Sequence, residues 1–214
     1  MYVIVGAFNW IGYHIVEQLL SDGEKVVGVD KLDSELKTHF LLSIGRNANF
    51  TFMDETSETY HKIQQQSVEH ILLINRSDQN YINLTKEVDV YSLHTNVLTD
   101  RNDLVTYIRM PLIYGVWMPR DSFFLRWNKE KISFNSELFK QSAVAIEDFI
   151  FVVLQIIGAS LKPNVIQLCM KKNEGNQHDI SNLYMIEQRN FKNKLTELES
   201  HYQQFKAIYE HHDI

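Results

Sequence analysis

A chain with a single cysteine cannot close a disulfide on itself, and Cys169 is the only one among 214 residues. A reducing compartment is therefore expected. Three prolines and eight glycines are too few for a linker or a low-complexity segment, and no internal repeat is visible. Basic residues are outnumbered, 21 Lys and Arg against 27 Asp and Glu. That balance argues against a general nucleic-acid or anionic-membrane surface. Long apolar runs are also missing: Phe149–Leu154 is far too short to span a bilayer. No basic segment precedes an apolar one at the N-terminus, so no signal peptide is read and the cytoplasm is the expected location. What remains, 44% hydrophobic and 22% charged, is ordinary for a globular protein long enough to bury a core.

The pattern along the chain alternates. Tyr2–Val5 is β-branched and apolar, as a parallel strand covered on both faces would be. Trp10–Leu20 places Ile11, Ile15, Val16, Leu19 and Leu20 on one helical face. Strands are expected at Val26–Val29, Asn49–Met53, Val68–Asn75, Val88–Ser92 and Thr106–Met110, with helices at Asp33–Ile44 and Glu58–Gln66 and at most a short one at Asp78–Lys86. This order predicts an α/β, Rossmann-like, doubly wound parallel sheet with its ligand edge at the carboxyl ends of the strands. Past Gly115 the chain becomes aromatic-rich and irregular through residues 116–131. A helix at Ile146–Ile157, a returning strand at Asn164–Met170 and a long helix at Asn182–His211 are expected after it. Residues 1–115 are read as the dinucleotide-binding core and 116–214 as a small C-terminal lobe, with no linker between them to exclude one integrated domain. Phe191, Leu195, Leu198, Tyr202, Phe205 and Tyr209 repeat at steps of four and three. This stripe either packs on the chain's own core or forms the seam of a homodimer.

The first thirty residues carry the chemistry. Gly6-Ala7-Phe8-Asn9-Trp10-Ile11-Gly12 joins the first strand to the first helix, and Asp30 ends the second strand. A helix N-terminus offers unpaired N–H groups and a partial positive charge to a pyrophosphate. Gly6 permits the sharp turn, and Gly12 lets the helix pack closely. Asn9 stands where a middle glycine is expected; asparagine tolerates positive φ, but its side chain occupies space where a phosphate approaches. Asp30 can accept both ribose hydroxyls and would repel a 2′-phosphate, favouring NAD over NADP, although Lys31 beside it weakens that preference. The expected cofactor-binding set is Gly6, Phe8, Asn9, Trp10, Ile11, Gly12, Asp30, Lys31, Asp54, Glu55, Asn75 and Arg76.

These segments resemble the extended short-chain dehydrogenase/reductase family, the NAD-dependent epimerase/dehydratase group acting on nucleotide sugars. The opening resembles that family's Gly-x-x-Gly-x-x-Gly turn. Asn49–Asp54 resembles its third strand, which implies that Asp54 and Glu55 lie near adenine. Val68–Arg76 resembles the fourth strand, with Asn75 and Arg76 in place of the usual small residues. Thr106–Gly115 resembles its Arg-x-x-x-x-Tyr-Gly segment, and Val144–Asp148 its Val-x-Asp-Asp segment. The resemblance implies redox chemistry or epimerisation on a nucleotide-activated sugar. It also implies a catalytic Tyr-x-x-x-Lys between the fifth and sixth strands, where tyrosine is the acid/base and lysine lowers its pKa. His94–Leu104 contains neither residue. The one Tyr-x-x-x-Lys in the chain, Tyr202 to Lys206, lies in the apolar stripe and is read as coincidence.

Other groups carry less. Ser92 matches the family's helper Ser/Thr, and His94 is the only histidine near the ligand edge; both are weak catalytic candidates. No histidine pair has metal-ligand spacing, so no metal site is expected, and His211-His212-Asp213 sits at a terminus. Arg76 either pairs with a phosphate or is a surface arginine. Arg120, Arg126 and Lys131, among Trp117, Phe123 and Trp127, either line a pocket for an anionic ring-bearing ligand or pack a small lobe. Cys169 is expected to be buried and inert. The expected function is NAD(P) binding with altered or lost family activity. The alternatives are a non-catalytic nucleotide-sensing or assembly protein acting through the C-terminal helix, or a structural domain that binds nothing.

Overall fold

A computed structural model describes residues 1–76, 81, 88–95, 101–159, 163–169, 181–184 and 191–210. They fall into two compact units, Met1–Arg109 with Lys162–Ile166, and Met110–Leu161 with Gln167–Ile214. Among the described residues no helix is long and apolar enough to cross a membrane.

The first unit is built from β1 (Tyr2–Val5), α1 (Trp10–Ser21), β2 (Val26–Asp30), α2 (Glu35–Ile44), β3 (Phe50–Asp54), α3 (Ser57–Gln64), β4 (His70–Ile74), β5 (Asp89–His94) and β6 (Val105–Arg109). The strands lie in the order β3-β2-β1-β4-β5-β6, and every neighbouring pair is parallel. The order reverses between β1 and β4, which in an open α/β sheet is where ligands bind. Val3, Ile4 and Val5 are fully buried because helices cover both faces. Asn9 starts α1, and Gly23 at φ +82° follows its last turn. Ser34 caps α2 by accepting the Lys37 N–H at 3.3 Å. Phe40 of α2 is wholly buried and stacks on Tyr13 with ring centroids 3.9 Å apart. Burying such a ring contributes about 2–3 kcal/mol. β5 runs on to His94, so that residue lies inside the strand and not in the loop after it.

In the second unit β7 (Ile113–Tyr114) is followed by β8 (Phe124–Trp127), β9 (Glu130–Ser133), α4 (Glu137–Ser142), β10 (Val144–Ala145) and α5 (Ile146–Gly158). β11 (Val165–Cys169) starts in the first unit, where the Tyr107 N–H donates to the Asn164 carbonyl. Next come β12 (Ser181–Tyr184), beside β11 in the strand order, α6 (Phe191–Gln204) and α7 (Lys206–Glu210). Two sequence expectations change here. Residues 116–131 are not wholly irregular, since β8 and β9 form an antiparallel hairpin, and the start of Asn182–His211 is strand, with the helix divided at Phe205. The short helix expected at Asp78–Lys86 and the His211-His212-Asp213 group lie outside the described residues, apart from the helical, buried Tyr81.

Arg120 explains much of the second unit's packing. Its guanidinium lies 4.7 Å from the Phe134 ring centroid and 4.5 Å from that of Tyr202. It donates to the Leu198 carbonyl at 3.2 Å and to Glu199 at 2.6 Å. It therefore serves as a buried tie to α6. The left-handed Trp117 (φ +63°) donates its N–H to the Tyr209 hydroxyl at 2.6 Å and packs against His201 and Phe205. Leu198, Tyr202 and Tyr209 of the apolar stripe are thus buried within their own unit. Lys206 begins α7 beyond the break, and Cys169 is buried.

The hairpin yields a first expected result. Asn128 and Lys129, the two residues between the paired Trp127 and Glu130, sit at φ +51° and +67°. A turn left-handed at both positions prefers glycine second. Holding a side chain there costs about 1–2 kcal/mol, and glycine loses about 0.5–1 kcal/mol more backbone entropy on folding. Lys129→Gly should therefore stabilise the chain by roughly 0.5–1 kcal/mol in urea titrations.

Candidate functional site

The carboxyl edge of the first unit gathers the expected binding residues. Gly6 takes φ +80°, and its N–H donates to the Val29 carbonyl at 2.9 Å, which turns the chain off β1 toward α1. A Cβ on Gly12 would stand 2.2 Å from the Gly6 carbonyl oxygen, so only glycine lets α1 start this close to the strand. Asn9 does not use positive φ. It is extended, at φ −62° and ψ 142°, and its Oδ1 accepts the Ile11 N–H at 3.1 Å. It is the helix N-cap, and it takes one of the donors a phosphate would take. The Trp10 and Gly12 N–H groups have no acceptor among the described residues. Two donors at a helix start suit an anionic diphosphate. Phe8, Trp10 and Ile11 are buried, so they shape this turn from below.

Asp30 is only 1% exposed, which changes its expected role. Its Oδ2 accepts the Phe8 N–H at 2.8 Å, and its Oδ1 accepts the Lys31 N–H at 2.8 Å and Lys37 Nζ at 3.0 Å. A carboxylate offers about four acceptor positions, so about one remains for a ribose hydroxyl in place of the two expected. Lys37 also bonds Asp33 at 2.8 Å, and this pairing holds the Asp33 carboxyl below its usual range. The pair of acids fixes a cation at the end of β2 that sequence reading missed. Its signal was the Asp33–Lys37 spacing of four residues on a helix start. Lys31 contributes its backbone here, while its side chain is exposed.

Contacts continue along the edge. The Glu55 N–H donates to the Asp30 carbonyl at 3.1 Å, and the Glu55 carboxylate pairs with Arg76. Arg76 Nε stands 3.8 Å from where a Gly6 Cβ would be, which puts a guanidinium over the glycine turn. Asn75 is exposed and left-handed at φ +52°, and Asp54 is exposed at the end of β3. Ser92 Oγ donates to the Arg76 carbonyl at 3.0 Å and also bonds His94 Nε2. With the hydroxyl proton on that carbonyl, His94 donates from Nε2. Burial pushes the His94 imidazole down to about 4, so it is neutral at pH 7. Ser92 is 1% exposed and His94 8% exposed. The weak catalytic candidates therefore meet each other beneath the surface.

No protein-family model matches this chain, and no curated protein matches its sequence. Solved structures do. The NAD complex of dTDP-glucose 4,6-dehydratase from Bacillus anthracis superposes with a TM-score of 0.66 at 12% identity, covering 96% of this chain and 97% of that one. A double mutant of the dTDP-glucose 4,6-dehydratase DesIV from Streptomyces venezuelae, with NAD and DAU bound, gives 0.65 at 11% identity over 98% and 99%. Yeast methylglyoxal/isovaleraldehyde reductase Gre2, complexed with NADPH, gives 0.58 at 12% identity over 97% and 99%. The chain has the fold of the extended short-chain dehydrogenase/reductases.

Proposed function

We infer that this chain binds a nicotinamide dinucleotide, NAD in preference to NADP, at the carboxyl edge of β1–β4, and that it lacks the family's usual chemistry. The observation that carries the reading is the turn at Gly6–Gly12. Its Gly12 admits no Cβ, two N–H groups at the start of α1 are open, and the Arg76 guanidinium lies over Gly6. Asp30 supports NAD because its charge disfavours a 2′-phosphate, while the Lys37 ion pair lessens that bias.

Non-catalytic nucleotide sensing is favoured over sugar epimerisation by what lies beyond β5. Residues 95–104 connect β5 to β6 and contain no tyrosine or lysine. Ser92 and His94 are bonded to each other under the surface, with no open acid/base between them.

Calorimetry with NAD and NADP tests the reading. NAD should bind in the micromolar to millimolar range, and more tightly than NADP. The Asn9→Gly variant frees the Ile11 N–H, and replacing an Asn cap with glycine costs only a few tenths of a kcal/mol in helix stability. It should bind NAD several-fold tighter than the natural chain. No heat with either nucleotide at millimolar concentration, in both proteins, would sink the proposal.

A further inference from the structure

We propose that the chain reads only the adenosine-diphosphate half of its ligand and takes ADP-ribose, NAD and NADH alike, blind to the nicotinamide and its redox state. This rests on the nucleotide-binding reading above and narrows it to a ligand class.

The two halves of the sheet are unequal. An order of β3-β2-β1-β4-β5-β6 is two mononucleotide-binding halves meeting between β1 and β4. In the first half, α1, α2 and α3 link β1 to β4 through full helical crossovers. Its carboxyl edge and the adjoining end of β4 hold groups suited to the phosphates and ribose of an adenosine diphosphate. Trp10 and Gly12 offer N–H groups to a phosphate, Arg76 stands over Gly6, and Asp30 keeps about one acceptor position for a ribose hydroxyl.

The second half is built differently. A parallel crossover takes a dozen residues or more, usually with a helix. β5 and β6 are parallel neighbours joined by the ten residues 95–104. The side chains that β5 brings to its carboxyl end are spent internally. Ser92 donates to the Arg76 carbonyl and bonds His94, and both residues are buried. Neither the Ser92 hydroxyl nor the His94 imidazole is therefore free for a second mononucleotide. Arg76 lies at the boundary, its side chain toward the glycine turn and its carbonyl holding Ser92. The Arg76 guanidinium, paired with Glu55 and standing over the glycine turn, thus suits a phosphate.

Competition calorimetry on the full chain reads this out. ADP, ADP-ribose, NAD and NADH should bind with affinities within fivefold of one another, and AMP at least tenfold more weakly than ADP because it lacks the second phosphate. Arg76→Gln, with an unchanged circular dichroism spectrum, should weaken ADP-ribose and NAD by the same factor of about ten. NAD or NADH binding more than fivefold tighter than ADP-ribose overturns the inference and leaves nucleotide binding standing. So does an Arg76→Gln change that weakens NAD but not ADP-ribose. Failure of every nucleotide to bind overturns both readings.

Discussion

Replacing Gly12 with alanine should lower the stability of the chain by about 3 kcal/mol and remove nucleotide binding with it. The added methyl would lie 2.2 Å from the Gly6 carbonyl oxygen and 3.2 Å from that of Ala7. Both obstacles are backbone, so no rotamer change relieves the contact. Either α1 retreats from the strand or the turn at Gly6 opens. Gly6 is held by its bond to Val29, and Asn9 by its own to the Gly6 carbonyl at 3.0 Å, so moving the turn breaks further bonds. Retreat of α1 uncovers Ile11, Ile15 and Val16, which are at most 1% exposed. Each route removes the close approach that brings the Trp10 and Gly12 N–H groups to one ligand. Urea denaturation measures the first effect and calorimetry with NAD the second. A Gly12→Ala protein within 1 kcal/mol of the natural chain would refute the close-packing argument.

The elements legible in the sequence are those whose signal is local. The apolar run of β1, the glycines of the turn, the apolar face of α1 and the acid after β2 all declared themselves within thirty residues. So did the parallel sheet, because helical and strand periods alternate through residue 110. The β8–β9 hairpin stayed hidden because its turn is Asn128-Lys129, where Asn-Gly is the familiar signal, and its strands are only four residues long. Residues 182–184 carry no strand signal of their own, because no proline or glycine separates them from α6. Site partners were least legible. A carboxylate after a strand looks the same whether it awaits a ribose or holds Lys37, and only the packing of α2 beside β2 decides. Asn9 is an intermediate case. Its place before an apolar helical run is a cap signal, and matching it to a missing glycine obscured that. Likewise the place of His94 near the ligand edge makes it a weak catalytic candidate in the sequence, whereas its place inside β5 makes it a buried partner of Ser92.

That partnership predicts a sharp acid sensitivity. The His94 imidazole is about 4 in the folded chain against a usual 6.5, because burial disfavours its charged form. A base with a lowered folded pKa binds fewer protons when folded than when unfolded. Its stabilisation is therefore fully present above about pH 6.5 and is lost as pH falls toward about 4. Between pH 7 and pH 4.5 this linkage removes roughly 2–3 kcal/mol, a large share of the roughly 5–15 kcal/mol by which a domain is stable. Carboxylates add their own slope at the acid end, so the measurement is a difference. Urea midpoints for the natural chain and His94→Gln are compared at pH 7 and pH 4.5. Glutamine keeps an N–H donor for Ser92 but cannot take up the proton. The variant should be the weaker at pH 7, having lost ring packing against Tyr107, yet it should lose roughly 2–3 kcal/mol less on acidification. Equal losses in the two proteins would show that His94 titrates normally and is not buried beside Ser92. The same reasoning gives a functional consequence. An imidazole already neutral above about pH 6 cannot gate the site near pH 7, so nucleotide affinity should be flat from pH 6.5 to 8.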